Sequence, residues 1–331
     1  MRVLFFSAKP YDRQFFEKCN EAYHFELVFW DTHLGPHIVD AIKKDTYDAV
    51  CVFVNDKLSA DVIAVLAEKG IKIIALRCAG FNNVDLDAVK AHNLKLCRVP
   101  AYSPQAVAEH AIALLLTLNR KIHKAYNRTR EQNFSLNGLM GFNLYQKTVG
   151  VIGTGKIGTA FCKIMLGFGC KVLAFDPFEM EELRQLGVDY QTFETVISKA
   201  DVISLHCPLT EENKYLINKE SLAKMKKGVV IINTSRGALL YTKHIIDALK
   251  TGQISGLAID VYEQEGKLFF KDLSDTIIGD DEIQRLISFP NVLVTGHQAF
   301  FTKEALTEIA ASTFASIAAL GEGKDIGDCS C

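Results

Sequence analysis

The sequence predicts an α/β protein built on parallel sheets, and three observations carry that prediction. Short apolar runs alternate with helical patterns from the first residues to the last, the rhythm of β-α-β units. One of these runs breaks at Gly153-Thr-Gly155-Lys-Ile-Gly158 and passes at once into a helical pattern. The chain has 331 residues, room for two domains of roughly 100–200 residues each.

Taken in order, the first third offers strands at Arg2–Phe6, Ala49–Val54, Lys72–Leu76 and Lys95–Val99, with helices such as Ala60–Lys69 and Leu86–His92 between them. A helix over Pro104–Lys124 follows, about 30 Å long, with Pro104 in its first turn and Ser103 as N-cap. Its apolar content is too broad for a one-sided surface helix, which points to a place between domains or subunits. A loop over Asn127–Tyr145 leads to the glycine turn. Later strands fall at Asp201–His206, Val229–Asn233, Leu257–Val261 and Val292–Thr295. Between the last two lies a polar, aspartate-rich excursion, Gly266–Phe289, of a length that marks functional or interfacial segments. A helix rich in alanine, Lys303–Leu320, closes the pattern.

The glycine turn is the most informative stretch. Val149–Ile152 reads as a strand, the turn opens a helix, and a second strand, Val172–Phe175, ends on Asp176. Gly153 permits the turn, Gly155 lets backbone approach a pyrophosphate, and Gly158 lets the helix lie close to the strand. Lys156 and Ile157 stand at the helix N-terminus, where free N–H groups and a partial positive charge face phosphate. Asp176 is placed to accept hydrogen bonds from ribose hydroxyls. A carboxylate facing a 2′-phosphate costs several kcal/mol, and the next arginine, Arg184, is eight positions on. The site reads as one for NAD rather than NADP.

Composition removes other classes. Hydrophobic residues make up 49% and charged residues 23%, with a net charge of −2 and no basic block, so bulk electrostatics offer nothing to nucleic acid or an anionic membrane. The N-terminal apolar run is too short for a secretion signal. No stretch approaches the ~18 apolar residues of a membrane span; the nearest, Ala106–Leu118, is interrupted by Glu109 and His110. Cysteines number nine, an odd count, and Cys51, Cys97, Cys162 and Cys170 sit in apolar runs, the pattern of reduced thiols in a cytoplasmic protein. Cys329 and Cys331 end a glycine-rich tail from Gly321, read as frayed rather than as a metal clip. No metal site is expected.

In open α/β sheets ligands bind outside the carboxyl ends of the strands. Val229–Asn233 is followed by Thr234-Ser235-Arg236, Leu257–Val261 by Tyr262-Glu263-Gln264-Glu265, and Val292–Thr295 by Gly296-His297. Asp201–His206 leads into Cys207-Pro208. An arginine, a glutamate and a histidine therefore gather at the edge where the reactive end of a dinucleotide lies. His24, His37, His92 and His244 lack such placement, and His110, within the long helix, reads as packing.

The motifs Val151-x-Gly-x-Gly-x-x-Gly158, His206-Cys-Pro208, Asn233-Thr-Ser-Arg-Gly237, Ala258-Ile-Asp-Val-Tyr-Glu-Gln-Glu265 and Thr295-Gly-His-Gln-Ala-Phe300 resemble the D-2-hydroxyacid dehydrogenase family. The similarity spans essentially the whole chain, including Arg77–Asp85 and Val99–Pro104. It implies two Rossmann-like parallel-sheet domains, one flavodoxin-like and one dinucleotide-binding, joined by a hinge. Residues 1–101 and 300–331 would form a discontinuous catalytic domain, and 102–299 the NAD-binding one. The implied reaction is stereospecific reduction of a small 2-keto acid by NADH, pyruvate to D-lactate, and its reverse.

Carried over by residue, the resemblance makes Arg236 the carboxylate-binding and keto-polarising group. His297 becomes the general acid, and the base in reverse. Glu265 orients the imidazole and favours its protonated form. Backbone N–H groups of Ala79 and Gly80 would hold the substrate carboxylate, and Tyr102 would line the same pocket. Asp260 would sit by the nicotinamide, and His206, Cys207, Pro208, Asn213, Thr234 and Ser235 would complete the cofactor contacts. Phe300 and Phe301 would form an apolar wall suited to a small aliphatic side chain. The family also implies a homodimer through the NAD-binding domain, with further assembly possible. Reductases of bulkier 2-keto acids and an NADH-sensing corepressor on the same scaffold remain alternatives at this point. Formate dehydrogenases of this pattern carry glutamine where Glu265 stands.

Overall fold

The computed structural model describes residues 1–330; Cys331 lies outside the described residues. Two compact units emerge, Met1–Ser103 with Phe301–Cys331, and Pro104–Phe300.

In the first unit, strands β1 (Arg2–Phe5), β2 (Glu26–Phe29), β3 (Ala49–Val52), β4 (Ile73–Leu76) and β5 (Lys95–Arg98) form a parallel sheet in the order β2-β1-β3-β4-β5. This is the flavodoxin-like order. Helices α1 (Pro10–Asn20), α2 (Ala60–Glu68) and α3 (Leu86–Ala91) connect the strands, and a C-terminal helix, Lys303–Gly321, returns to this unit. Strands β3 and β4 are buried along their whole length, which is why they read as unbroken apolar runs rather than alternating ones. Leu4, Val50, Val52, Ile63, Leu66 and Ile74 fill one core. Phe5, Phe16 and Phe314, the last from the C-terminal helix, pack edge to face, with centroids 4.8 to 6.3 Å apart.

The tail is docked, not frayed. Ser330 pairs antiparallel with Cys97 on the edge strand β5, and Cys329 Sγ lies 3.8 Å from Ser312 Oγ on the C-terminal helix. Backbone pairing at an exposed sheet edge outweighs the flexibility that a glycine-rich composition suggests. Among the described residues no His/Cys/Asp/Glu group could hold a metal ion.

The second unit begins with α4 (Pro104–Arg120) and α5 (Ile122–Arg130). They are two helices where the sequence pattern suggests one: Lys121 between them has φ +50°, a left-handed residue that ends the first helix. The sheet then assembles from β6 (Thr148–Ile152), β7 (Lys171–Phe175), β8 (Asp189–Tyr190), β9 (Val202–Leu205), β10 (Val229–Asn233), β11 (Ile254–Ile259) and β12 (Val292–Val294). All are parallel, in the order β12-β11-β10-β9-β6-β7-β8. The order reverses between β6 and β9, the crevice where dinucleotides bind. Helices α6 (Lys156–Gly167), α7 (Glu181–Gln185), α8 (Phe193–Lys199), α9 (Lys219–Lys224), α10 (Thr242–Thr251) and α11 (Asp281–Ser288) flank it.

Two expectations change here. The broad apolar content of α4 needs no domain or subunit boundary: Ala108, Ala111, Leu114, Leu115 and Leu118 are buried within this unit, where α4 packs on α6 and on β10 to β12. The polar excursion, read from sequence only as a long connection, contains α11. Asp280 caps that helix by accepting the Glu282 and Ile283 N–H groups at 3.1 Å. Among the described residues no helix is long and apolar enough to cross a membrane.

Candidate active site

The carboxyl edge of the second sheet places the predicted residues in one row. Read along the sheet from β12 to β7, it presents His297, then Asp260 and Glu265, Arg236, His206 and Cys207, the glycine turn, and Asp176.

At Gly153 and Gly158 the turn has no space for a side chain. Gly153 has φ +94°, and a Cβ there would lie 2.6 Å from Cys207 N; one at Gly158 would lie 2.0 Å from Gly153 O. At Gly155 a Cβ would meet nothing within 4 Å, so the open side of the turn faces outward at the α6 N-terminus. Lys156 and Ile157 open that helix, whose first N–H groups have no acceptor within it. Asp176 is held by the Thr154 N–H at 2.6 Å and the Phe178 N–H at 2.8 Å. A carboxylate accepts about four hydrogen bonds, so two acceptor positions remain for ribose hydroxyls. An open cradle, a helix N-terminus and an anchored acid fit a dinucleotide.

After β9, the side chains serve the loop more than they face outward. His206 packs its ring on Phe161, with centroids 4.8 Å apart, and contacts Ser204 Oγ through Nε2 at 2.9 Å. Burial pushes its pKa down to about 3, so the ring is neutral. Burial likewise pushes the Cys207 thiol up to about 11. Asn213 braces the exposed Pro208 loop, donating to Pro208 O at 2.7 Å and accepting the Thr210 N–H at 2.8 Å. Ser235 donates to Cys207 O at 2.6 Å, tying the β9 and β10 loops together. Thr234 is buried, and its hydroxyl has no hydrogen-bond partner among the described residues.

Arg236 extends from the β10 end, half-buried. Nη1 donates to Ser235 O at 2.8 Å, and no carboxylate among the described residues pairs with the guanidinium. Its neighbour Gly237 is required by close approach: a Cβ there would lie 2.0 Å from the Tyr262 carbonyl carbon. The loops after β10 and β11 thus touch through backbone. From the second loop, Glu265 Oε2 accepts the Tyr262 N–H at 3.0 Å, while Oε1 meets His297 Nδ1 at 2.8 Å. The carboxylate assigns the hydrogen to Nδ1, so Nε2 is the position from which His297 can give or take a proton. The pair is partly exposed, at 21% and 22% of side-chain surface, open enough for a small molecule to reach it.

Asp260 is buried beneath this pair. Burial alone would raise its pKa, but hydrogen bonds from His110, Thr295 and the Gln298 and Ala299 N–H groups hold it below the usual carboxylate range. Sequence reading missed His110 and Thr295. A titratable ring in the buried run of α4 was the available signal, and the surrounding alanines and leucines masked it.

The chain matches the family model for the NAD-binding domain of D-isomer-specific 2-hydroxyacid dehydrogenases over residues 112–299. It belongs to that family. This dehydrogenase is an oxidoreductase whose cofactor is NAD. The D-lactate dehydrogenase of Escherichia coli strain K12 is 52% identical over 324 residues, 98% of each chain. A structure from the identification of the pyruvate reductase of Chlamydomonas reinhardtii has a TM-score of 0.93 at 42% identity, covering 99% of this chain and 98% of that one. The D-lactate dehydrogenase of Aquifex aeolicus, complexed with NAD and lactic acid, has a TM-score of 0.85 at 34% identity over 97% and 96%.

The remaining expected residues lie in the dehydrogenase's first unit. Ala79 and Gly80 follow β4, where the Ala79 carbonyl accepts Arg98 Nη1 at 3.2 Å and the Gly80 carbonyl accepts the Cys78 thiol at 3.3 Å. Their N–H groups, rather than their carbonyls, are the atoms the resemblance invokes. Tyr102 lies two residues before α4. Phe300 is buried in the second unit, whereas Phe301 packs edge-on against Tyr11 at 4.8 Å in the first.

Proposed function

We propose that this dehydrogenase reduces pyruvate to D-lactate with NADH, reversibly. The observation that carries the reading is an arginine that pairs with no carboxylate among the described residues, on the strand adjacent to a histidine–glutamate pair. A half-buried guanidinium left unpaired suits an arriving carboxylate, which it binds through two parallel hydrogen bonds. NADH, when bound, supplies the hydride to the keto carbon. His297 Nε2 gives its proton to the keto oxygen, so that a carbonyl becomes a secondary alcohol. Glu265 keeps the ring oriented throughout and stabilises its charged form before the transfer. In the oxidation direction His297 takes the hydroxyl proton. Asp176 and the glycine turn bind the adenosine and pyrophosphate portions, with Thr234, Ser235, Cys207, Pro208 and Asn213 along the same edge. Ala79, Gly80 and Tyr102 are proposed substrate contacts.

The test is a comparison of kcat/KM for pyruvate, 2-ketoisocaproate, phenylpyruvate and glyoxylate with NADH and with NADPH. The expected outcome is highest efficiency with pyruvate and NADH; a clear preference for a bulky substrate would overturn the assignment of pyruvate.

We further propose a homodimer through the second unit. Phe134, Leu136 and Met140 stand 74%, 83% and 87% exposed on one connecting segment, which Asn119 pins by two hydrogen bonds to Phe142. Apolar side chains presented together on a fixed segment mark a contact surface. Sedimentation should give a dimer or a larger assembly, and a monomer at micromolar concentration would contradict it.

A further inference from the structure

Residues 295 to 299 form the turn that carries His297. His297 has φ +54°, a left-handed conformation that residues with a side chain adopt infrequently. Asp260 holds it there. Its carbonyl accepts the His297 N–H at 2.8 Å. Its fully buried carboxylate accepts the Thr295 hydroxyl at 2.5 Å, the Gln298 N–H at 2.9 Å and the Ala299 N–H at 2.8 Å. His110 reaches this cluster from α4, with Nε2 3.2 Å from Thr295 Oγ1 and 3.5 Å from Asp260 Oδ1.

The direction of these contacts follows from counting hydrogens. Thr295 has one hydroxyl hydrogen, and it is spent on Asp260. The contact with His110 must then run from the ring to the hydroxyl oxygen, so Nε2 carries a hydrogen. A relay results, from His110 through Thr295 to Asp260 and on to the backbone on both sides of His297.

We propose that His110 is a positioning residue: it donates from α4 into the Thr295–Asp260 cluster and so fixes the turn that aims the His297 imidazole. The inference rests on His297 being the proton donor of the reaction. Without the N–H of His110, the Thr295 hydroxyl is free to rotate away from Asp260, and the carboxylate loses the donor that faces it from α4. The turn relaxes, and the ring leaves its place against Glu265. Misplacing a reacting group by about 1 Å costs on the order of 100-fold in rate. NADH binding, carried by the glycine turn and Asp176, is largely spared.

Two variants separate positioning from packing. His110→Leu keeps the bulk of the side chain without a donor, and His110→Gln keeps a donor N–H. With the full-length dehydrogenase, His110→Leu should lower kcat for pyruvate by about 10- to 100-fold. Its KM for pyruvate and its Kd for NADH should change by no more than about threefold, and His110→Gln should recover most of the rate. In the double variant with Thr295→Val, the losses should overlap rather than multiply, as for members of one relay. A readout independent of turnover uses protein labelled with ¹³C at histidine. The His297 Cε1–H resonance, assigned by its loss in His297→Asn, should shift or broaden in His110→Leu and return in His110→Gln. If His110→Leu does not fold, Thr295→Val carries the same expectations. An unmoved His297 resonance with kcat within twofold of wild type, or failure of the glutamine variant to recover either readout, would overturn the proposal. A wild-type protein that turns over no 2-keto acid would instead overturn the reading of the function, and the resonance would still decide the positioning.

Discussion

Both units are parallel sheets with arginine just beyond a buried strand, and the two arginines could hardly differ more. Arg77, after β4, is 2% exposed. Its Nε lies 3.3 Å from Asp12, its Nη2 donates to Ser7 O at 3.0 Å, and its guanidinium stacks 5.0 Å from the centre of the Phe53 ring. Burial opposes its charge, and Asp12 more than restores it, so its pKa is raised. Nearby, Ser7 donates to the buried Asp56 at 2.7 Å, and burial raises the Asp56 pKa while the Phe53 N–H and the Ser7 hydroxyl draw it back. Arg236, after β10, is half-exposed and meets no carboxylate among the described residues. The charge of Arg77 is spent within its own unit, and that of Arg236 is not paired there.

This contrast is breakable by exchange. Arg77→Met leaves Asp12 buried without its cation, and should lower the unfolding free energy by about 3–5 kcal/mol, read from urea titration. Arg236→Gln should change stability by less than about 0.5 kcal/mol while lowering kcat/KM for pyruvate by on the order of 100-fold or more, the cost of leaving a charged partner unpaired. A stable Arg77→Met protein, or an unstable Arg236→Gln one, would erase the distinction.

Two histidines of the second unit sharpen it at smaller scale. His206 is neutral in the folded state, with a pKa of about 3 against 6.5 for the free side chain. Between these values the unfolded chain binds a proton that the folded chain refuses. Its contribution to stability is therefore full above about pH 6.5 and declines as pH falls toward 3, by up to ~1.4 kcal/mol per pH unit. His206→Gln should flatten that part of the stability–pH curve, measured by urea midpoints across the range. His297, paired with Glu265, should govern rate instead. Glu265→Gln replaces the carboxylate that accepts from Nδ1, so the tautomer and orientation of the ring are no longer fixed. The loss at neutral pH should be about tenfold, at the lower part of the range for acid–base catalysis. Unchanged stability with a lowered rate is the expected signature.

Much of this was legible in sequence wherever burial was complete. Strand β10 coincides with its apolar run, Val229–Asn233, because all five residues are buried. Strand β2 was missed because it is an edge strand, none of whose residues is fully buried, and β8 because two residues carry no period. The α11 helix hid in the aspartate-rich excursion, since its cap, Asp280, looks like one more loop acid. In the site, Arg236, Glu265 and His297 were legible as candidates because each lies in a loop leaving the carboxyl end of a strand. His110 acts sideways from a helix more than 180 residues away from Thr295 in sequence, and no local pattern encodes such a contact. The left-handed turn at His297 is equally silent, for a tertiary hydrogen-bond set rather than a glycine at that position imposes it.

The central claim is that proton transfer from His297 completes a stereospecific reduction. The most direct measurement incubates wild type and His297→Asn with pyruvate and NADH, identifies the lactate enantiomer by chiral chromatography, and measures NADH binding by both proteins. The account predicts D-lactate alone from wild type and a loss of on the order of 100- to 10,000-fold in kcat for His297→Asn, with NADH still bound. L-lactate, or a folded, NADH-binding His297→Asn that keeps the wild-type rate, would contradict it.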